Sequence, residues 1–294
     1  VTRIEPPGGD PARDMPPMAG GCGAAFVAYN RGKRAIEIDY RDPAGREDLA
    51  ELVAETDVFL HNWPPGRAEE LGLAPEDVRW RNPTLIWAHA SGWGGSPPEG
   101  GSILATDFLV QAHAGCAFGA TPIGEAPAPT RITAVDAIAG LVAAEAVLAA
   151  LLHRESSARG CTIRTSLLSG ARRLQARILD PLRAGVESGR LQGRSVWEPV
   201  DLPMETADGY LMLGASAMAA ARVLGIPGAD DAAVAARLRE HATAEWERLL
   251  ADAGVPFARV TEDLGSLPAD RRVSGLLEPA DGACWAPSPP WHFA

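Results

Sequence analysis

The chain is 294 residues long and carries 27 Lys and Arg against 38 Asp and Glu, a net charge of −11. That length suits two domains, or one large domain with a lobe, and a composition 46% hydrophobic and 22% charged is that of a folded globular chain. So acidic a balance excludes a general nucleic-acid binder, which needs a basic face. No apolar run reaches bilayer-spanning length without a polar interruption, an expectation against a membrane-spanning helix.

Val1-Thr2-Arg3-Ile4 reads as the end of a strand, so the start looks truncated; no charged-then-apolar leader is in view. Residues 1–23 are otherwise a loop rich in Pro and Gly. Ala35 to Asp39 alternates as a strand should. Asp42 is placed to cap a helix over about 44–55, with Pro43 suited to its first turn. Asp57 to His61 is a short buried strand, and Asn62-Trp63-Pro64-Pro65-Gly66 a turn. Short helical pieces follow at 67–72 and 75–80, then a strand from Thr84 to His89 and a glycine loop, Ser91-Gly92-Trp93-Gly94-Gly95. Strand alternating with helix is the rhythm of a parallel α/β sheet, whose ligands bind at the carboxyl ends of strands. That places the loops 61–66 and 90–95 beside a site.

Residues 103–118 read as a helix, Ile132 to Val135 as a strand-like run, and 137–153 as a helix so apolar all round that it should be buried. A strand at Cys161–Thr165 and a helix over about 166–185 complete a large domain, 1–185. The segment 186–203 lacks periodicity and reads as a linker. A smaller α/β domain, 204–275, holds a strand at Tyr210–Leu213 and helices near 216–224 and 231–252. Residues 276–294 form an extended tail returning to the large domain.

Cys22, Cys116, Cys161 and Cys284 are far apart and form no CxxC pair, which argues against zinc or disulfides and for a reducing cytoplasm. The six histidines are scattered, none at ligand spacing, and no metal site is expected. Asp136 stands where the strand-like run meets the apolar helix. It reads as an N-cap. The same geometry suits a carboxylate nucleophile attacking a carbonyl carbon, with neighbouring amides holding the oxyanion. Arginines between Arg159 and Arg194, including Arg172, Arg173 and Arg177, read as a solvated helix face. The tighter basic run Asn30-Arg31-Gly32-Lys33-Arg34 suits a phosphate-bearing ligand.

In order along the chain these pieces resemble the class III CoA-transferase family, which includes formyl-CoA and carnitine CoA-transferases and α-methylacyl-CoA racemases. The resemblance rests on Ile4-Glu5-Pro6-Pro7-Gly8-Gly9-Asp10, Asn30 to Arg34, the strand ending in Asp39, and Asp57-Val58 through Asn62-Trp63-Pro64-Pro65-Gly66. It continues with Leu71-Gly72-Leu73, Asn82-Pro83, Ser91-Gly92-Trp93-Gly94, Val135-Asp136, Arg159-Gly160, Thr206-Ala207-Asp208-Gly209-Tyr210 and Ala253-Gly254-Val255-Pro256. It implies a Rossmann-like parallel-sheet large domain plus a smaller α/β domain, in an interlocked dimer. It also implies that Asp136 attacks an acyl-CoA thioester, passing through a mixed anhydride to an aspartyl-CoA thioester from which an acceptor carboxylate takes the CoA.

CoA contacts are implied at Ile38, Arg41, Asn62 and Trp63, with Arg34 in the basic run. The expected partners are acyl-CoA, a small carboxylic acid, and a second copy or a related chain. Three departures stand out. The family's first strand–loop–helix unit is absent, Pro64 replaces an arginine with Arg67 close by, and Thr106 occupies the place of the racemases' histidine base. The glycine-run lid of the formyl-CoA enzymes is not visible, and the small domain looks shortened. Two alternatives to the transferase remain: a racemase or isomerase of 2-substituted acyl-CoA, and a non-catalytic subunit.

Overall fold

The structure, a computed structural model, describes residues 1–95, 97–99, 104–122, 124–176, 202–214, 217–226, 231–280 and 284–287. In chain order its elements begin with β1 (Thr2–Glu5), β2 (Met18–Ala19), β3 (Cys22–Gly23), α1 (Ala24–Asn30), β4 (Arg34–Glu37) and α2 (Pro43–Ala54). Next come β5 (Val58–His61), α3 (Arg67–Glu70), α4 (Pro75–Arg79), β6 (Ile86–Ser91), α5 (Asp107–His113), α6 (Cys116–Gly119), α7 (Ala134–Ser157), β7 (Thr162–Ser166) and α8 (Leu167–Leu174). The remainder holds β8 (Met204–Glu205), β9 (Tyr210–Leu213), α9 (Ala217–Val223), α10 (Asp231–Leu238), α11 (Thr243–Asp252), β10 (Phe257–Arg259), β11 (Leu277–Ala280) and β12 (Cys284–Pro287). Arg177, the end of the expected 166–185 helix, most of the 186–203 segment and residues 288–294 of the tail lie outside the described residues.

Contacts divide the chain into two compact units, Val1–Asp10 with Gly32–Ser195 and Pro11–Arg31 with Val196–Ala294. In the first, β5, β6 and β7 form a parallel sheet in that order, and β1 pairs parallel with β4. The expected parallel α/β arrangement is therefore present. Asp42 caps α2 as its sequence requires, accepting from the amides of Ala44 and Gly45, with Pro43 at the first position. One face of the sheet packs Phe59 and Trp87 against Leu49 and Val53 of α2 and against Leu73, Val78 and Leu85. The Trp87 indole N–H is satisfied by the Leu73 carbonyl at 2.8 Å.

Helix α7 covers β6 and β7 from the other side. It runs from Ala134 to Ser157, so the strand-like reading of Ile132–Val135 is corrected. The expectation that this helix is buried all round is also corrected. Val135, Ala139, Ala143 and Ala150 are buried, whereas Leu141, Leu148 and Leu152 are 60%, 67% and 74% exposed. A stripe of small residues brings the helix close to the sheet and to Gly170 of α8, and leaves the leucines on the opposite face. By length and apolar composition α7 is also long enough to cross a membrane, against the expectation drawn from its polar interruptions.

The expected helix 103–118 is two helices, because Gly115 adopts φ +83° and ends α5 before α6 starts. The second unit contains an antiparallel sheet ordered β10-β9-β8, whose Leu211 and Leu213 pack with Val234, Leu238, Trp246 and Leu250. The expected helix 231–252 is broken into α10 and α11. Asp208, in the turn between β8 and β9, accepts from the Thr243 amide at 2.6 Å and its hydroxyl at 2.7 Å, at the start of α11.

Candidate active site

The carboxyl ends of β5 and β6 turn into the two loops that the α/β rhythm singles out. Between them lies a cavity of about 350 Å³. Asn62, Trp63, Pro64 and Pro65 wall it on one side, and Ala90 to Gly95 on another. Pro97, Leu104, Ala105, Leu167 and Asp136 complete the lining. The glycine loop is held tightly. A Cβ on Gly92 would overlap the Ala105 side chain, the Gly92 carbonyl accepts from the Leu168 amide at 3.1 Å, and Ser91 Oγ accepts from the Gly94 amide at 3.0 Å.

Trp63 is fixed by a pair of histidines. Its amide donates to His61 Nδ1 at 3.4 Å, and its carbonyl accepts from His89 Nε2 at 2.9 Å. The strand register puts His61 opposite His89, and the two rings stack at 4.7 Å and 16°. With Nδ1 accepting, the His61 proton sits on Nε2, which is buried without a hydrogen-bond partner among the described residues. Burial, and then the neighbouring His89, push the His61 imidazolium down to about 4, so the ring is neutral at pH 7. The Trp63 ring itself lies against His61, Phe59 and Tyr40.

Asp136 is the third residue of α7, not its N-cap; that position is Thr133, whose side chain makes no capping bond. The capping reading of Asp136 is therefore corrected. Its carboxyl opens to the cavity and to solvent, yet stays above the usual carboxylate range, first through burial of its surroundings and second through the charge of Asp107. The Asp136 amide donates to Asp107 Oδ2 at 2.8 Å. That amide is therefore engaged and not free to hold an oxyanion.

The structure brings Asn62, Trp63 and Asp136 to one cavity. Ile38 is half-buried against the core that also packs Tyr40 and Trp63. Arg41 is exposed just beyond, its amide donating to Asp39 Oδ1 at 3.1 Å. Arg34 opens β4, at the opposite end of that strand from Ile38, and the basic run Asn30–Arg34 is divided between the two units. Among the described residues no group of three or more His, Cys, Asp or Glu could hold a metal ion. The sequence reading missed Asp107, His61 and His89 as contributors; only the parallel register, which sets two distant histidines side by side, reveals the last two.

Residues 1–268 match the profile of CoA-transferase family III. A Mycobacterium tuberculosis protein described as a probable fatty acyl-CoA transferase, Rv3272, is 34% identical over 235 residues, 73% of this chain and 58% of that protein. Its crystal structure superposes with a TM-score of 0.81 at 26% identity, covering 100% of this chain and 85% of that one. The succinyl-CoA:glutarate CoA-transferase of Mus musculus is 27% identical over 285 residues, 88% of this chain and 65% of that enzyme. A CAIB/BAIF family protein from Brucella suis shares the fold with a TM-score of 0.86 at 24% identity, over 100% of this chain and 85% of that one. The chain thus spans less than two thirds of the length of these two curated relatives.

Proposed function

The chain belongs to CoA-transferase family III, and on that premise we propose that it moves CoA from an acyl-CoA to a carboxylic acid with Asp136 as the covalent carrier. The observation that carries this reading is the placement of the Asp136 carboxyl in one cavity with Asn62 and Trp63, at the carboxyl ends of two parallel strands. A carboxylate oxygen of Asp136 attacks the thioester carbonyl, the C–S bond breaks, and CoA leaves as the thiolate from a mixed anhydride. The thiolate then attacks the Asp136 carbonyl, releasing the donor acid as its carboxylate and leaving CoA as a thioester on Asp136. An acceptor carboxylate attacks that thioester, a second anhydride forms, and the thiolate returns to the acceptor carbonyl. The new acyl-CoA departs and Asp136 is again a carboxylate.

Trp63 and Asn62 contact the CoA on this reading, with Ile38 and Arg41 at the adjoining strand end. The exposed leucine face of α7 is covered by a second copy or a related chain. Racemisation is disfavoured by Thr106, whose hydroxyl accepts from the Leu109 amide at 3.4 Å as the cap of α5 and offers no base. The test is to incubate the protein with acyl-CoA, trap with hydroxylamine and map the modified peptide. Label on Asp136, absent from Asp136→Asn, supports the carrier. CoA binding with no label on any residue would instead favour a non-catalytic subunit.

A further inference from the structure

Two carboxylates share the start of α7. The amides of a helix's first turn are ordinarily satisfied by the N-cap side chain or by water. Here the N-cap Thr133 makes no such bond, and Asp107, 4% exposed on α5, reaches across to accept from the Asp136 amide at 2.8 Å. The other Asp107 oxygen accepts from Gln111 Nε2, one turn further along α5. Gln111, 2% exposed, turns the same carboxamide onto Thr130: Nε2 donates to the Thr130 carbonyl at 3.2 Å, and Oε1 accepts from the Thr130 amide at 2.9 Å. Thr130 Oγ1 in turn donates to the Ile132 carbonyl at 3.0 Å. The backbone leading into α7 is thus held at Thr130 and at Asp136 by one buried pair of side chains, while the Asp136 carboxyl is left to the cavity.

We propose that Asp107 is a positioning residue for the transfer reaction: it fixes the first turn of α7 and takes that helix's positive end for itself, so that Asp136 meets the thioester oriented and as a less stabilised, more nucleophilic anion. The proposal rests on the reading of Asp136 as the nucleophile. A helix N-terminus stabilises one nearby anion most, and the geometry assigns that place to Asp107. Burial first, and then the Asp107 charge, raise both the Asp136 carboxyl and the Cys116 thiol above their ordinary values. Of the elements packed on α7, α5 carries Asp107 and His113, β6 carries His89, β7 carries Arg164, and α8 carries Arg172 and Arg173; Asp107 is the charge that shifts Asp136.

Asp107→Asn and Asp107→Ala separate the two parts of this role. Asparagine keeps an oxygen for the Asp136 amide and removes the charge; alanine removes both. The Asp136 carboxyl is titrated by carbon NMR of aspartate-labelled protein, assigned with Asp136→Asn, and its amide is followed by hydrogen exchange. Acetyl-, succinyl- and hexanoyl-CoA serve as donors for hydroxylamine trapping across pH. In Asp107→Asn the amide stays protected, Asp136 titrates at lower pH, and the acid limb of trapping moves down with it. In Asp107→Ala the amide loses protection, and trapping falls about tenfold or more through lost orientation. Wild-type label together with unchanged titration, protection and trapping in both variants overturns the positioning role alone. No label on wild-type Asp136 removes the nucleophile, and with it the catalytic meaning of Asp107. If the alanine variant fails to fold, the asparagine titration decides.

Discussion

His61 and His89 stack face to face at 4.7 Å and together hold both the amide and the carbonyl of Trp63. One wall of the cavity is therefore braced by two imidazoles, of which His61 can accept from the Trp63 amide at Nδ1 only while it is neutral. His61 titrates near 4 in the folded chain and near 6.5 when unfolded. Between those values the unfolded state binds the extra proton, so stability rises with pH. We expect unfolding free energy to be complete above about 6.5 and to decline as pH falls toward 4. Denaturant titrations across that window check this; a His61→Leu variant should lose that part of the slope, and an unchanged slope would remove His61 as its source.

Trp63→Ala should weaken CoA binding by about 1–3 kcal/mol if the ring stacks on the adenine base. The same ring packs on Tyr40, Phe59 and His61, so the alanine variant should also melt lower. Trp63→Phe is expected to restore most of both. Calorimetry with CoA separates the effects, and unchanged affinity in a folded Trp63→Ala would take the ring out of the CoA site.

Asp136→Asn should abolish turnover and leave the fold intact, because a neutral amide cannot form the anhydride. It should also be more stable than the wild type at neutral pH. The wild-type carboxyl is held above its ordinary range, so ionisation costs the folded state more than the unfolded one. The gain should shrink as pH drops into the carboxylate range and wild-type Asp136 is protonated. Asp136→Asn melting at or below the wild type at pH 7 would contradict this account of its environment.

Leu148→Glu and Leu152→Glu lie on the exposed face of α7, where the wild-type leucines stand open to solvent. If that face is an interface between chains, each variant should dissociate the assembly while keeping the α/β fold, since exposed apolar patches mark association sites. Sedimentation at micromolar concentration reads the outcome. A wild-type monomer would dismiss the interface.

Thr106→Ala should cost about 0.5–2 kcal/mol through loss of the α5 cap. Exchange of the α-proton of 2-methylacyl-CoA in deuterium oxide should be slow or nil in the wild type. Fast exchange surviving Asp136→Asn would reinstate an isomerase.

Local signals in the sequence were enough for much of the first unit. Alternation marked β4, short strand-like runs marked β5, β6 and β7, and Asp42-Pro43 marked the start of α2, because backbone preference and capping are settled within a few residues. The same rhythm pointed to the strand ends where the cavity lies. Residues 137–153 read as a helix, yet nothing in that run tells which side it buries. Alanine and leucine are both apolar, and close approach to the sheet selected the smaller of the two.

By itself, then, the sequence determined the parallel α/β rhythm, the family, and Asp136 as the residue to examine. Only the structure decided that Asp136 lies inside the first turn of α7, not at its cap, and that the group engaging its amide is Asp107, 29 residues earlier. Likewise, only the register of β5 on β6 set His61 against His89. Periodicity and capping record interactions between near neighbours along the chain, whereas these contacts close long loops through space, and a pairing between distant residues leaves no pattern at either position.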